Sequence, residues 1–295
     1  MPITIEPANP SRPDFVGTVT GVELARPLTR QEVTDIDTGM DRYAVLVFRD
    51  QPLDDEQQLA FGRTFGPLEA ASGDLAQGKD RRLGAEMADI SNVNKDGSLM
   101  AVDDRRRLFG LGNMLWHSDS SFKAVPAKYS ILSGRVVPPD GGNTEFADMR
   151  AAWDTLDAAT RVMVEPLVCE HTQIYSRGTL GFTDFTDEER RRFAPVRQRL
   201  VRTHPVTGRK SVFLSSHAGS ILGWQVPEAR MLLRDLVEHA TQRERVHAHV
   251  WAVNDVVMWD NRTTMHRARR YDPAERRDMR RTTVSAEGMT VAQAA

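Results

Sequence analysis

Apolar and polar residues alternate through residues 17–29, closing at Pro27, which predicts a strand and a turn. Residues 30–42 carry apolar positions at helical spacing. The run Ala44-Val45-Leu46-Val47-Phe48 is short and β-rich, the pattern of a buried strand. Asp54-Asp55-Glu56 opens a helix to about Phe65, its acidic first turn suiting the helix dipole. Residues 70–84 hold Gly, Asp, Lys and Arg without a period and predict an active-site loop. Residues 87–93 and 129–137 read as strands, and Pro138-Pro139-Asp140-Gly141-Gly142 as a turn. A helix follows over 149–156. Residues 178–198 are charged and weakly helical, an insertion or lid. Segments 200–203 and 211–214 flank Thr207-Gly208 like a hairpin, residues 227–241 form a helix, and short strands with tight turns begin at 246. No repeat, low-complexity tract or linker breaks this order. The expectation is one domain over 1–295, with an all-β sandwich or barrel core and peripheral helices.

Composition adds exclusions. An apolar content of 40% supports a sizeable core. Charged residues make up 27% and the net charge is −2, so no basic bias points to nucleic acid. The single cysteine, Cys169, excludes an internal disulfide and reads as a small buried side chain. The first seven residues lack the basic start and apolar core of a secretory signal. No apolar run approaches the ~20 residues of a membrane span. The expected setting is cytoplasmic and reducing, with a small molecule as partner; homo-oligomerisation is compatible with the chain.

The candidate chemistry lies in scattered residues. Two histidines and one carboxylate hold non-haem Fe(II) on one face and leave the other open. With 41 acids and eight histidines in 295 residues, about one His-X-acid pair arises by chance, and the chain has one, His117-Ser118-Asp119. Its setting carries more weight. If Leu115 to Asp119 is extended, His117 and Asp119 share a face while Trp116 and Ser118 point away. A third ligand, His266, follows a strand-then-turn pattern from Val256 to Asn261. The open positions suit the two oxygens of a 2-oxoacid and then O2. On a strand, Arg277, Met279 and Arg281 share a face, so two guanidiniums could hold two carboxylates. Residues 262–281 hold eight arginines, and Arg269, Arg270, Arg276 and Arg280 read as solvated.

The chain resembles the Fe(II)/α-ketoglutarate-dependent dioxygenases of the taurine dioxygenase family, most closely the 2,4-dichlorophenoxyacetate group. The likeness spans nearly the whole chain. It is densest over 88–93, 115–122, 137–150, 202–210 and 251–284. The family order is His-X-Asp, Thr, distal His, Arg. Here 24 residues separate Asp119 from Thr144, 121 separate Thr144 from His266, and ten separate His266 from Arg277. The resemblance implies a double-stranded β-helix, or jelly-roll, cupin-like fold. It implies that His117, Asp119 and His266 bind iron. Thr144 and Arg277 would bind the distal carboxylate of the α-ketoglutarate cosubstrate, with Trp259 lining that pocket. Arg281 would receive the substrate's acidic group, and Asn113, His204 and His217 match substrate-side positions. The implied reaction hydroxylates an aryloxyacetate to give a phenol and glyoxylate, with succinate and CO2. Taurine, another alkylsulfonate, an alkyl sulfate ester or a phenoxypropionate are alternative substrates. The loop at 70–82 departs from the group's pattern, and Lys79 has no clear counterpart in it.

Two rival chemistries are weaker. His247-Ala248-His249 offers a same-face pair for zinc but no third ligand. A metal-binding β-barrel without turnover would not need both Thr144 and Arg277. No Gly-X-Ser-X-Gly elbow is present. Gly110-Leu111-Gly112 lacks the third glycine of a dinucleotide fingerprint and reads as a flexible approach to the metal segment.

Overall fold

The computed structural model describes residues 2–71, 75 and 81–293. The strands run in chain order β1 (Thr4–Pro7), β2 (Gly17–Thr20), β3 (Val45–Phe48), β4 (Met87–Asp89), β5 (Ala127–Val136), β6 (Thr144–Asp148), β7 (Val168–His171), β8 (Val196–Arg199), β9 (Val201–Thr203), β10 (Lys210–Val212), β11 (Ala218–Ile221), β12 (Val246–His249), β13 (Val256–Asp260), β14 (Thr264–Ala268) and β15 (Asp278–Ser285). The helices are α1 (Arg30–Tyr43), α2 (Asp55–Arg63), α3 (Arg105–Gly110), α4 (Met149–Asp154), α5 (Ala158–Val164), α6 (Gln173–Gly178), α7 (Asp187–Arg192) and α8 (Val226–Ala240).

A seven-stranded sheet has the order β1-β2-β3-β13-β5-β15-β4, and a three-stranded sheet has the order β12-β6-β14. Pairing is antiparallel except between β2 and β3. The period-2 pleat of β13 feeds two cores at once. Val257 and Trp259 meet Phe146 of the small sheet, together with Leu132, Met279 and Val45. Val256 and Met258 meet Ile36 and Met40 of α1 and Phe61 of α2 on the opposite side. The outer face of the small sheet, with Ala147 and Met265, is covered by α4 and α8. The site described below lies between the two sheets, where β14 crosses the chain entering β5.

Local chemistry explains most element ends. Thr29 with Glu32 and Asp54 with Gln57 form capping boxes that start α1 and α2. Ala44, at φ 60°, stops α1 and turns the chain into β3. The strand expected over 17–29 is shorter, because Gly21 at φ 82° bends the chain after Thr20. The strand expected over 87–93 ends at Asp89. Residues 178–198 pack inward: Phe182, Phe185 and Phe193 surround Phe109, and Arg105 pairs with Glu189 at 2.6 Å. Loop 70–84 is described only in part, and Lys79 lies outside the described residues. Among the described residues, no helix is long and apolar enough to cross a membrane.

One expected substrate-side residue belongs to this framework. His204 is buried, with Nε2 3.3 Å from the Asp260 carboxylate and 3.7 Å from Asp41. It does not line the cavity, because the β9–β10 hairpin that carries it packs toward the end of β13. Asp260 also accepts from Arg262 Nη2 at 2.7 Å. Burial pushes the Asp260 carboxyl up, but Arg262 and His204 outweigh it and hold the carboxyl far below the usual range. Asp260→Ala strands a buried guanidinium and is expected to lower unfolding free energy by about 3–5 kcal/mol in urea titration. A carboxyl with a depressed folded pKa contributes fully above its unfolded value of about 3.9, and that contribution fades on further acidification. The gap between wild type and variant should therefore be flat from neutral pH down to about 4 and narrow below it.

Candidate active site

His117 and His266 are held together by their backbones. His117 N donates to His266 O at 3.0 Å, and His266 N donates to His117 O at 2.8 Å. This single bridge replaces the expected extended segment, since Asp119 already lies in a turn and Ser120 takes φ 52°. Trp116 and Ser118 do point away from the cavity. Trp116 enters the core under α8, and Ser118 Oγ donates to Leu214 O and Thr264 O.

The three side chains converge. One ligand atom from each of His117, Asp119 and His266 lies within 4.8 Å of the others. His117 Nδ1 meets Leu115 O at 2.7 Å, which leaves Nε2 facing Asp119. The two imidazoles stand 3.8 and 3.6 Å from the carboxylate, beyond hydrogen-bond reach. Burial lowers both imidazole pKa values, so both rings are neutral. Burial pushes the Asp119 carboxyl up, but the Arg281 charge, helped by the Ser130 hydrogen bond, leads the contributions that outweigh it, leaving it at about 2. A buried carboxylate and two neutral imidazoles with a gap between them are the donor set of a divalent iron. Among the described residues no other group of three offers this.

Supporting contacts are as specific as the ligands. Ser130 Oγ donates to Asp119 Oδ2 at 2.7 Å and accepts from Asn261 Nδ2 at 2.9 Å. Asn261 Oδ1 accepts from Asp119 N and from Trp259 Nε1, both at 3.0 Å. The Trp259 ring lies 4.6 Å from the His266 ring, and Trp259 buttresses that ligand instead of lining the cavity. Thr144 is likewise absent from the cavity wall; its Oγ1 accepts from Trp251 Nε1 at 3.0 Å. Nothing in the sequence singled out Ser130, Asn261 or Trp251.

The cavity has a volume of about 430 Å³. Its wall includes Asn113, His117, Asp119, His217, Arg277 and Arg281. Arg281 Nη1 donates to Asp119 Oδ1 at 2.5 Å. Arg277 is 5% exposed, donates to Ile90 O at 3.2 Å, and meets no carboxylate among the described residues. Burial lowers its pKa. Met279, between the two arginines, is fully buried in the inter-sheet core. Arg280 departs from the solvated reading, pairing with Asp55 at 2.5 Å. The rival pair is structural: His249 stacks edge-on against Trp251 and pairs with Asp255, while burial brings His247 down to about 4.

Residues 5–283 match the model of the taurine catabolism dioxygenase TauD, TfdA family. The chain belongs to this family. It is an α-ketoglutarate-dependent dioxygenase. The α-ketoglutarate-dependent 2,4-dichlorophenoxyacetate dioxygenase of Cupriavidus pinatubonensis is 49% identical to it over 94% of this chain and 96% of the relative. The (S)-phenoxypropionate/α-ketoglutarate dioxygenase of Sphingobium herbicidovorans is 42% identical, covering 90% of each. The crystal structure of AAD-2 with Mn(II) and N-oxalylglycine is 57% identical, covers 99% of this chain and 100% of that one, and superposes with a TM-score of 0.95.

Metal titration of the dioxygenase tests the ligand assignment. Asp119→Ala is expected to abolish Mn(II) binding measured by electron paramagnetic resonance. Ser130→Ala should weaken binding by roughly 10- to 100-fold, as loss of a contact that orients a ligand does. His247→Ala should bind as wild type; the reverse pattern would move the metal site.

Proposed function

We propose that this protein hydroxylates an aryloxyalkanoate such as 2,4-dichlorophenoxyacetate at the carbon between its ether oxygen and carboxylate. The product hemiacetal then splits into a phenol and glyoxylate. The carrying observation is that the metal triad and the buried, carboxylate-free Arg277 open into one cavity. The identity of 49% along nearly its whole length to a 2,4-dichlorophenoxyacetate dioxygenase supports the substrate class.

When bound, Fe(II), α-ketoglutarate and O2 supply an oxidant strong enough to take hydrogen from carbon, with succinate and CO2 as coproducts. The protein's share is binding and placement. His117, Asp119 and His266 hold the iron. Arg277 holds the distal carboxylate of α-ketoglutarate; Thr144, bonded to Trp251, lies off the cavity wall. Arg281 borders the substrate's acidic group while steadying Asp119, and Asn113 and His217 shape the substrate side. The two facing sheets are read as a double-stranded β-helix, and residues 1–295 as one catalytic domain. A cytoplasmic, reducing setting accompanies this reading because the metal must stay ferrous.

Anaerobically prepared Fe(II) enzyme, given α-ketoglutarate, O2 and a panel of acids, tests the reading. Succinate should rise with 2,4-dichlorophenoxyacetate, and 2,4-dichlorophenol and glyoxylate should appear in equal amounts. Stimulation by taurine, an alkyl sulfate or a phenoxypropionate alone would keep the chemistry and replace the substrate. No stimulation by any acid would favour a metal-binding protein without turnover.

A further inference from the structure

Among the described residues nine arginines line the cavity that holds the metal ligands, and they are not equivalent. Arg281 already has a partner in Asp119. Arg277 and Arg177 are the buried arginines of the cavity wall, each 5% exposed, and neither meets a carboxylate among the described residues. An uncompensated guanidinium in a dry wall is unfavourable unless an anionic ligand completes the pair. Under the proposed function the cavity takes two organic anions, α-ketoglutarate and the substrate. Arg277 accounts for one of them.

Arg177 is built in firmly. Its Nε donates to Phe109 O at 3.1 Å, its Nη1 to Ser176 Oγ at 3.2 Å, and its guanidinium lies 4.6 Å over the Phe109 ring. These contacts leave Nη2 for a ligand in the cavity. Gly112 makes the placement feasible: a Cβ there would stand 2.1 Å from Arg177 Cζ. Close approach, not flexibility, is what this glycine provides.

The neighbouring imidazole is a poor rival for an anion. Ser176 Oγ donates to Gln173 O at 3.1 Å, accepts from Arg177 and meets His217 Nδ1 at 2.8 Å. One ring nitrogen of His217 is therefore already engaged by the protein. Burial, and after it the Arg177 charge, lower the His217 pKa well below its ordinary value, so the ring brings no positive charge to an anion.

We propose that Arg177 is a specificity-determining residue that seats the substrate's carboxylate, with Gly112 setting the position of its guanidinium. The proposal rests on the aryloxyalkanoate reading above. The sign of the charge on the ligand then decides affinity, and a neutral amide of the same shape loses what the acid gains.

The test uses Fe(II) enzyme with α-ketoglutarate under argon, titrated with 2,4-dichlorophenoxyacetate and with its primary amide. Binding is read from the visible absorption of the Fe(II)–α-ketoglutarate complex. Arg177→Gln should raise the acid's Kd roughly 10- to 100-fold, the worth of one charged hydrogen-bonded contact, and the amide's far less. Gly112→Ala keeps the charge but displaces the guanidinium, and should shrink the acid-to-amide preference in the same direction. An unchanged preference in both variants overturns the proposal, as does a loss confined to α-ketoglutarate binding. Failure of wild-type enzyme to bind the acid, by contrast, overturns the substrate reading itself and this proposal with it.

Discussion

The pair of backbone hydrogen bonds between His117 and His266 is the contact on which the site depends. It fixes the spacing of two metal ligands without asking either side chain to do so. One partner comes from an irregular segment and the other from β14 of the small sheet. The segment is secured from behind by Trp116 in one core and Ser118 between two carbonyls. The ligands are thus set by packing on the far side of the chain from the cavity. Preorganisation of this kind needs a rigid scaffold, and the two facing sheets supply it.

Charge organises the rest. Asp119 is the buried anion of the centre, and Arg281 balances it. Elsewhere the fold pairs its buried arginines locally, Arg150 with Asp148 and Arg262 with Asp260. Against that habit, the two buried guanidiniums of the cavity wall, Arg177 and Arg277, meet no carboxylate among the described residues. Cys169 shows the opposite case: a buried thiol pushed up to about 12, inert and structural.

Much of this was legible in the chain because the signals were local. β3 and the first four residues of β13 are continuous apolar runs, and the helices α1, α2 and α8 carry clear start signals or apolar spacing. The ordered train marked His117, Asp119 and His266, which converge in the fold, and Arg277, which lies on the same cavity wall, whereas Thr144 lies off it. What escaped depends on which way a side chain faces. Trp259 and His204 share motifs with the site, yet pleat and hairpin direction turn them into supports. Arg177 precedes the charged stretch 178–198 and belongs to no motif; only the fold reveals that Gly112 and Phe109 enclose it. Ser130 and Asn261 are unremarkable polar letters until β5 and the turn after β13 meet.

The bridge also bears on the order of assembly. His117 and His266 are 149 positions apart, so their contact closes a very long loop and depends on the strands around it. The strands that flank it, β6 beside β14 and β5 beside β13, must already be in register for the two backbones to meet. Iron therefore has no complete seat on a partly formed chain.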